Sequence, residues 1–296
     1  MNVAASPAEV EPADGVHFEL EESAYRRLNR LSYSGAKVVL RSLAHYVENR
    51  RNPKPETDEQ RFGTVFHAEL LEPGRAASMI VVLPQNAPRR PTSVQLAAAK
   101  PSPATVEAIA WWRDFDASSA GRLVIDANEA HRLEGMLEAV RAHSGATHLL
   151  AAGRPEVSVL WQDRQYDVPC KCRIDFLRDD GGHVDIKTAA DASPEAFARA
   201  AASFSYHMQA AAYFSGAEHA LNASPPFWAW VVVEKEPPYG VATYVAQADA
   251  LLAGARMWDT ALARYRMALD TSEWPAYAPT IEPLHFPTWA LRARNL

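Results

Sequence analysis

Between Leu31 and Arg50 the chain reads LSYSGAKVVLRSLAHYVENR, and Val38, Val39, Leu43 and Tyr46 recur at the spacing of an amphipathic helix. Ser32 or Ser34 is placed to cap it. The run RNPKPETDEQ (51–60) breaks that pattern, and a second helix is expected to open at Gly63-Thr64 and end before Pro73. Residues 84–103 are rich in proline and read as an irregular excursion; helical patterns return at 104–116 and, after the short RLVID, at 127–152. From Glu156 the period changes to two. EVSVLWQD, YDVPCKCRIDFLRD and HVDIKTA, separated by turn residues, predict three strands in a meander. A helix follows over 193–221, with Ser193 as cap and Pro194 in its first turn. Two more strands, FWAWVVVEK and GVATYVAQ, precede a helix over 248–270 and an aromatic, proline-rich end expected to pack on the body. The pattern predicts an α/β fold with a central mixed β-sheet flanked by helices.

Composition sharpens this picture. At 296 residues, 48% of them hydrophobic, the chain can fill a sizeable core. No window approaches the ~18 apolar residues of a membrane span, and MNVAASPAEVEPADG lacks the basic start and apolar run of a signal peptide. A cytoplasmic protein without membrane partners is expected. Residues 1–22 carry six acids and no Lys or Arg, which accounts for the whole net charge of −6. They read as a flexible acidic tail, followed by a single domain over 23–296 with a helical N-terminal part. Its first stretch, Ser23 to His67, is basic, with nine Lys and Arg against four acids. That charge fits a phosphate-facing patch or a solvated helical surface.

The chemistry concentrates in GGHVDIKTAA (181–190). Val184 and Ile186 face one side of the strand, and His183, Asp185 and Lys187 the other. On the preceding strand Cys172, Ile174 and Phe176 oppose Lys171, Arg173, Asp175 and Leu177. A two-residue loop would set each apolar row against a polar one. A three-residue loop, Asp179-Asp180-Gly181 with Gly181 left-handed, pairs Ile174 with Ile186 and Asp175 with Asp185. Two opposed carboxylates repel unless a cation lies between them. Mg²⁺, or Mn²⁺ in its place, answers that need, and a neighbouring lysine would orient or activate water. The alternative is an exposed hairpin whose charges form surface ion pairs of little consequence. Cys170 and Cys172 point the same way, toward the apolar face. That placement disfavours both a disulfide between them and a nucleophilic role with His183 or His207.

CKCRIDFLRDDGGHVDIKT resembles the core of the PD-(D/E)xK nucleases, whose restriction-endonuclease-like fold is then expected. Ile174 stands where the motif's name has proline. Further elements resemble the exodeoxyribonuclease VIII (RecE-type) branch of phages and prophages: LSYSGAKVVLRSLAHYVENR, FGTVFHAELLEP, EVSVLWQD, FSYHMQAAAY, EWPAY and FPTWA, in that order. The resemblance implies His67, Asp175, Asp185 and the Ile186 carbonyl as metal ligands, and Lys187 as the catalytic lysine. Glu156 would bind metal or position water; Gln209 and Tyr213, one helical turn apart, would support Lys187 or a DNA phosphate. It also implies Mg²⁺-dependent 5′-to-3′ digestion of linear double-stranded DNA from its ends, a ring-like homo-oligomer and a single-strand annealing partner. Alternatives are a nuclease of other polarity or substrate and a non-catalytic DNA-binding module. An iron–sulfur cluster would need more thiolates than two cysteines supply.

Overall fold

The computed structural model describes residues 11–286 and 291. In chain order the elements are β1 (Gly15–His17), α1 (Glu22–Arg27), α2 (Tyr33–Arg41), α3 (Leu43–Arg51), α4 (Asp58–Leu71), α5 (Pro73–Met79), β2 (Ile80–Val82), α6 (Ser93–Leu96), α7 (Pro103–Ser118), β3 (Leu123–Ile125), α8 (Ala127–Ala142) and α9 (Ser144–Leu149). Then follow β4 (Gly153–Asp163), β5 (Val168–Arg178), β6 (His183–Ala189), α10 (Pro194–Phe204), α11 (Tyr206–Leu221), β7 (Trp228–Glu234), β8 (Val241–Val245) and α12 (Ala248–Thr271). Six strands form a mixed sheet in the order β1-β4-β5-β6-β7-β8, with β6 and β7 parallel and the other neighbours antiparallel. Helices flank it, as the pattern predicts.

Local chemistry sets the boundaries. Ser32 and Ser42 cap α2 and α3. Helix α4 opens five residues earlier than the sequence suggested, because Thr57 and Gln60 form a reciprocal capping box and Gly63 sits inside the helix. The single helix expected over 193–221 is two, because Ser205 adopts a left-handed conformation (φ 60°) that turns α10 into α11.

The flexible tail expected over 1–22 needs correction from residue 11 onward. Gly15–His17 pair with Ser158–Leu160 on the open edge of β4, and Glu11 and Asp14 reach Arg30 at 2.8 and 2.6 Å. An unpaired strand edge and a nearly buried guanidinium give this segment its partners. Residues 1–10 lie outside those described. At the other end Trp274 stacks on Tyr46 and the Pro275 carbonyl accepts the Ala44 N–H, so EWPAY does pack on the body. FPTWA lies outside the described residues beyond Phe286. Between Pro84 and Pro103 the chain is irregular apart from α6, and together with α7 it connects two strands that pair in parallel, β2 and β3.

Three buried clusters build the core. One lies among α2, β4, β5, α11 and α12; a second, against α4 and α8, takes in Val184 and Ile186; the third joins α10 and α11 to β7. Between the first two, β5 and β6 part company.

Candidate active site

Strands β5 and β6 pair only at Phe176–Val184 and Leu177–His183, closed by Gly181 at φ +84° with the Arg178 N–H on the Gly182 carbonyl. This is the register of the three-residue loop. Continued one step it sets Asp175 opposite Asp185, but the ladder stops there. The Asp175 carboxylate takes a backbone's place, its Oδ2 accepting the Ile186 N–H at 2.8 Å. Beyond it β6 stays with β7 through Ala189–Glu234, while the edge of β5 is filled by Leu31, bonded to the Pro169 carbonyl and the Lys171 N–H. The basic segment is thereby tied beside a cleft of about 920 Å³.

Three functional groups converge at the head of this cleft. His67 on α4, Glu156 on β4 and Asp175 on β5 each offer a ligand atom, and these lie within 4.8 Å of one another. Glu156 stands opposite Asp175 in a left-handed conformation (φ 51°), costly for a residue with a Cβ and characteristic of functional sites. Burial first, and the charge of Asp175 second, raise its pKa; Arg173, 3.9 Å away, compensates only in part. His67 Nε2 lies 3.0 Å from the Ile186 carbonyl and Nδ1 3.6 Å from Asp175. Burial lowers its pKa and outweighs the pull of Asp175, so the imidazole is neutral with a lone pair to give. Two crowded carboxylates, a neutral imidazole and a nearby carbonyl fit a divalent cation.

Asp185 stands apart from that trio. It is 1% exposed, its Oδ2 2.5 Å from Lys187 Nζ and its Oδ1 accepting from Gln209 Nε2 at 2.6 Å. Burial raises the Asp185 pKa against the pull of Lys187. For Lys187, burial opposes the charge but Asp185 and Asp175 outweigh it, so the proton stays on the amine. Gln209 therefore contacts Asp185 rather than Lys187. Tyr213 packs edge-on against Trp228 and lines a neighbouring pocket of about 640 Å³ with Tyr25, Lys171 and Arg173.

Lys171 and Arg173, on the polar row of β5, act as tethers, Lys171 buried and Arg173 half-buried. Lys171 Nζ donates to the carbonyls of Tyr25 and Leu28 at 2.8 and 2.9 Å, and Arg173 reaches the Leu20 carbonyl and, at 3.0 Å, Ser158 Oγ. Cys170 and Cys172 are buried, and burial raises both thiol pKa values, which leaves them inert. The sequence reading did not single out Tyr33, Lys37, Phe204 and Tyr206, which line the cleft; the Tyr206 ring lies 4.8 Å from Lys187 Nζ. The three-residue step from Tyr206 to Gln209 on α11 was the available signal.

Among the described residues no helix is long and apolar enough to cross a membrane. A search of curated proteins finds no match. Among solved structures, that of a provisionally assigned exonuclease from Eubacterium rectale superposes with a TM-score of 0.55 at 11% identity, over 94% of this chain and 99% of that one. At such identity the likeness speaks for the fold, a restriction-endonuclease-like α/β sheet. The profile described as "PDDEXK-like domain of unknown function (DUF3799)" matches residues 32–285, and the chain belongs to that family.

Proposed function

We propose that this chain is a metal-dependent deoxyribonuclease that digests linear double-stranded DNA from its ends, 5′ to 3′, leaving 3′ single strands for annealing in recombination. Family membership and the exonuclease-like fold support a nuclease. Polarity, the annealing partner and a ring-like homo-oligomer rest on the RecE-type order of motifs. The observation that carries the reading is the convergence of His67, Glu156 and Asp175 where β5 and β6 separate, with Lys187 alongside.

In this reading His67, Glu156 and Asp175 hold the ion, with the Ile186 carbonyl and Asp185 adjoining. A bound Mg²⁺, replaceable by Mn²⁺, supplies positive charge for the developing phosphoryl oxygens. Lys187, kept protonated by Asp185, places a second charge at the scissile phosphate and orients water rather than deprotonating it. Gln209 positions Lys187 through Asp185. Tyr213 fixes the α11 face against Trp228.

The test is linear duplex labelled at its 5′ or its 3′ ends, incubated with and without Mg²⁺. Early release of 5′ label, abolished by chelator, Asp175→Asn or Lys187→Ala, is expected. Early release of 3′ label would overturn the polarity alone. DNA equally intact with wild type and variants would overturn the nuclease.

A further inference from the structure

Phe204 ends α10 and is 53% exposed at the rim of the cleft. A large ring left in water is unfavourable, yet the structure holds this one in place. The left-handed Ser205 projects the ring from the elbow between α10 and α11, and the Phe204 carbonyl accepts the Tyr33 hydroxyl at 2.5 Å. Its ring stacks on Tyr206, centroids 5.6 Å apart and planes at 24°, and Tyr206 in turn lies against the Lys187 amine. Lys37, over the Tyr33 ring at 5.6 Å, has no carboxylate partner among the described residues. Lys37 and Lys187 line the same cleft, and burial first, then the charge of Lys187, lower the Lys37 pKa. Amines for phosphate beside an open aromatic face for a base make a platform for single-stranded nucleic acid.

We propose that Phe204, backed by Tyr206, stacks an unpaired nucleobase adjoining the phosphate at Lys187, while Lys37 holds a neighbouring phosphate. The inference rests on the nuclease reading and deepens it. The strand enters with a base out of its pair, so frayed ends are bound and cut better than clamped ones.

The test measures binding in chelator by fluorescence anisotropy, using single-stranded oligonucleotides with one abasic residue moved through the first four positions. At one position the abasic residue weakens binding to wild type by about 5- to 150-fold, the range of base–aromatic stacking. Phe204→Ala loses a similar factor on the intact strand and nothing more at that position, whereas Phe204→Trp keeps the wild-type pattern. With Mg²⁺, Phe204→Ala raises KM on a paired end more than on an end with three mismatches. Losses that multiply at every position, or Phe204→Ala binding like wild type, overturn the platform while leaving the nuclease intact. A wild-type protein that binds none of the oligonucleotides also overturns the platform, and the nuclease is then judged separately, by release of label from duplex ends with Mg²⁺.

Discussion

Replacing Lys187 by methionine should uncover the cost of a buried, unpaired acid. Met keeps most of the stem volume, so the change removes chiefly the charge that sits 2.5 Å from a carboxylate only 1% exposed. Losing one partner of a buried pair costs about 3–5 kcal/mol. The acid can escape by taking up a proton, and that escape caps the cost. From an unfolded Asp pKa near 3.9, neutralising Asp185 costs at most ~4 kcal/mol at pH 7 and ~1.5 kcal/mol at pH 5, at ~1.4 kcal/mol per unit. An acid whose folded pKa is raised gives stability that is present below its unfolded pKa and lost as pH rises, so the deficit must shrink on acidification. Because the Asp185 pKa is raised to about 7 even beside Lys187, urea unfolding in chelator at pH 5, 7 and 9 measures it. Asp185→Asn added to Lys187→Met removes the charge while keeping an Oδ1 acceptor for Gln209, and the double variant should lie within about 1.5 kcal/mol of wild type at each pH. A deficit that stays flat or grows toward pH 5 would refute the assignment of Asp185 as a buried, lysine-compensated carboxylate.

Glu156→Gln relieves the crowding with Asp175. Because the Glu156 pKa is raised, the metal-free variant should be more stable than wild type by on the order of 2 kcal/mol above pH 8, with the gain fading toward pH 5, and Mn²⁺ should no longer raise its Tm. Equal Mn²⁺ shifts in both proteins would remove Glu156 from the ligand set. Lys171→Met strips the carbonyls of Tyr25 and Leu28 of their donor. A loss of about 2–4 kcal/mol by urea unfolding is expected, together with faster hydrogen exchange over residues 22–28, and unchanged exchange there would contradict the tether. Gly254→Ala would set a Cβ 2.0 Å from the His207 carbonyl, where α12 crosses α11. Forcing the helices apart should cost about 1–3 kcal/mol, read as a lowered Tm; an unchanged Tm would mean that the crossing is looser.

The strands, their sequence order and the hairpin register were legible because period two and a three-residue loop with Gly181 leave one arrangement that sorts both faces. The site was legible as a set of residue types, but its internal partnership was not. Alternation puts Asp175 and Asp185 on one face, from which a shared cation follows naturally. Whether that face stays a sheet is another matter. Here β5 and β6 separate one residue past the last paired rung, so Asp175 bonds the Ile186 N–H and meets His67 and Glu156, while Asp185 goes with β6 to Lys187 and Gln209. Nothing in a local period signals such a split, because it is imposed from outside the hairpin: Leu31, over a hundred residues upstream, occupies the edge that β6 vacates. The same long-range contact gives the charges of β5 their partners. Lys171 and Arg173 carry the alternation of an exposed face, yet the 20–31 segment folds over that face and turns its carbonyls to their side chains. The basic stretch that sequence alone left between a phosphate-facing patch and a solvated surface is thus divided by the fold: Arg30 is held by Glu11 and Asp14 and Arg26 by Glu22, while Lys37 and Lys54 line the cleft. Electrostatic attraction for a nucleic acid should therefore reside in those two lysines rather than in the segment's summed charge. Lys54→Ala, outside the aromatic elbow, should weaken DNA binding alike across sequences and reduce its salt dependence by about one counterion.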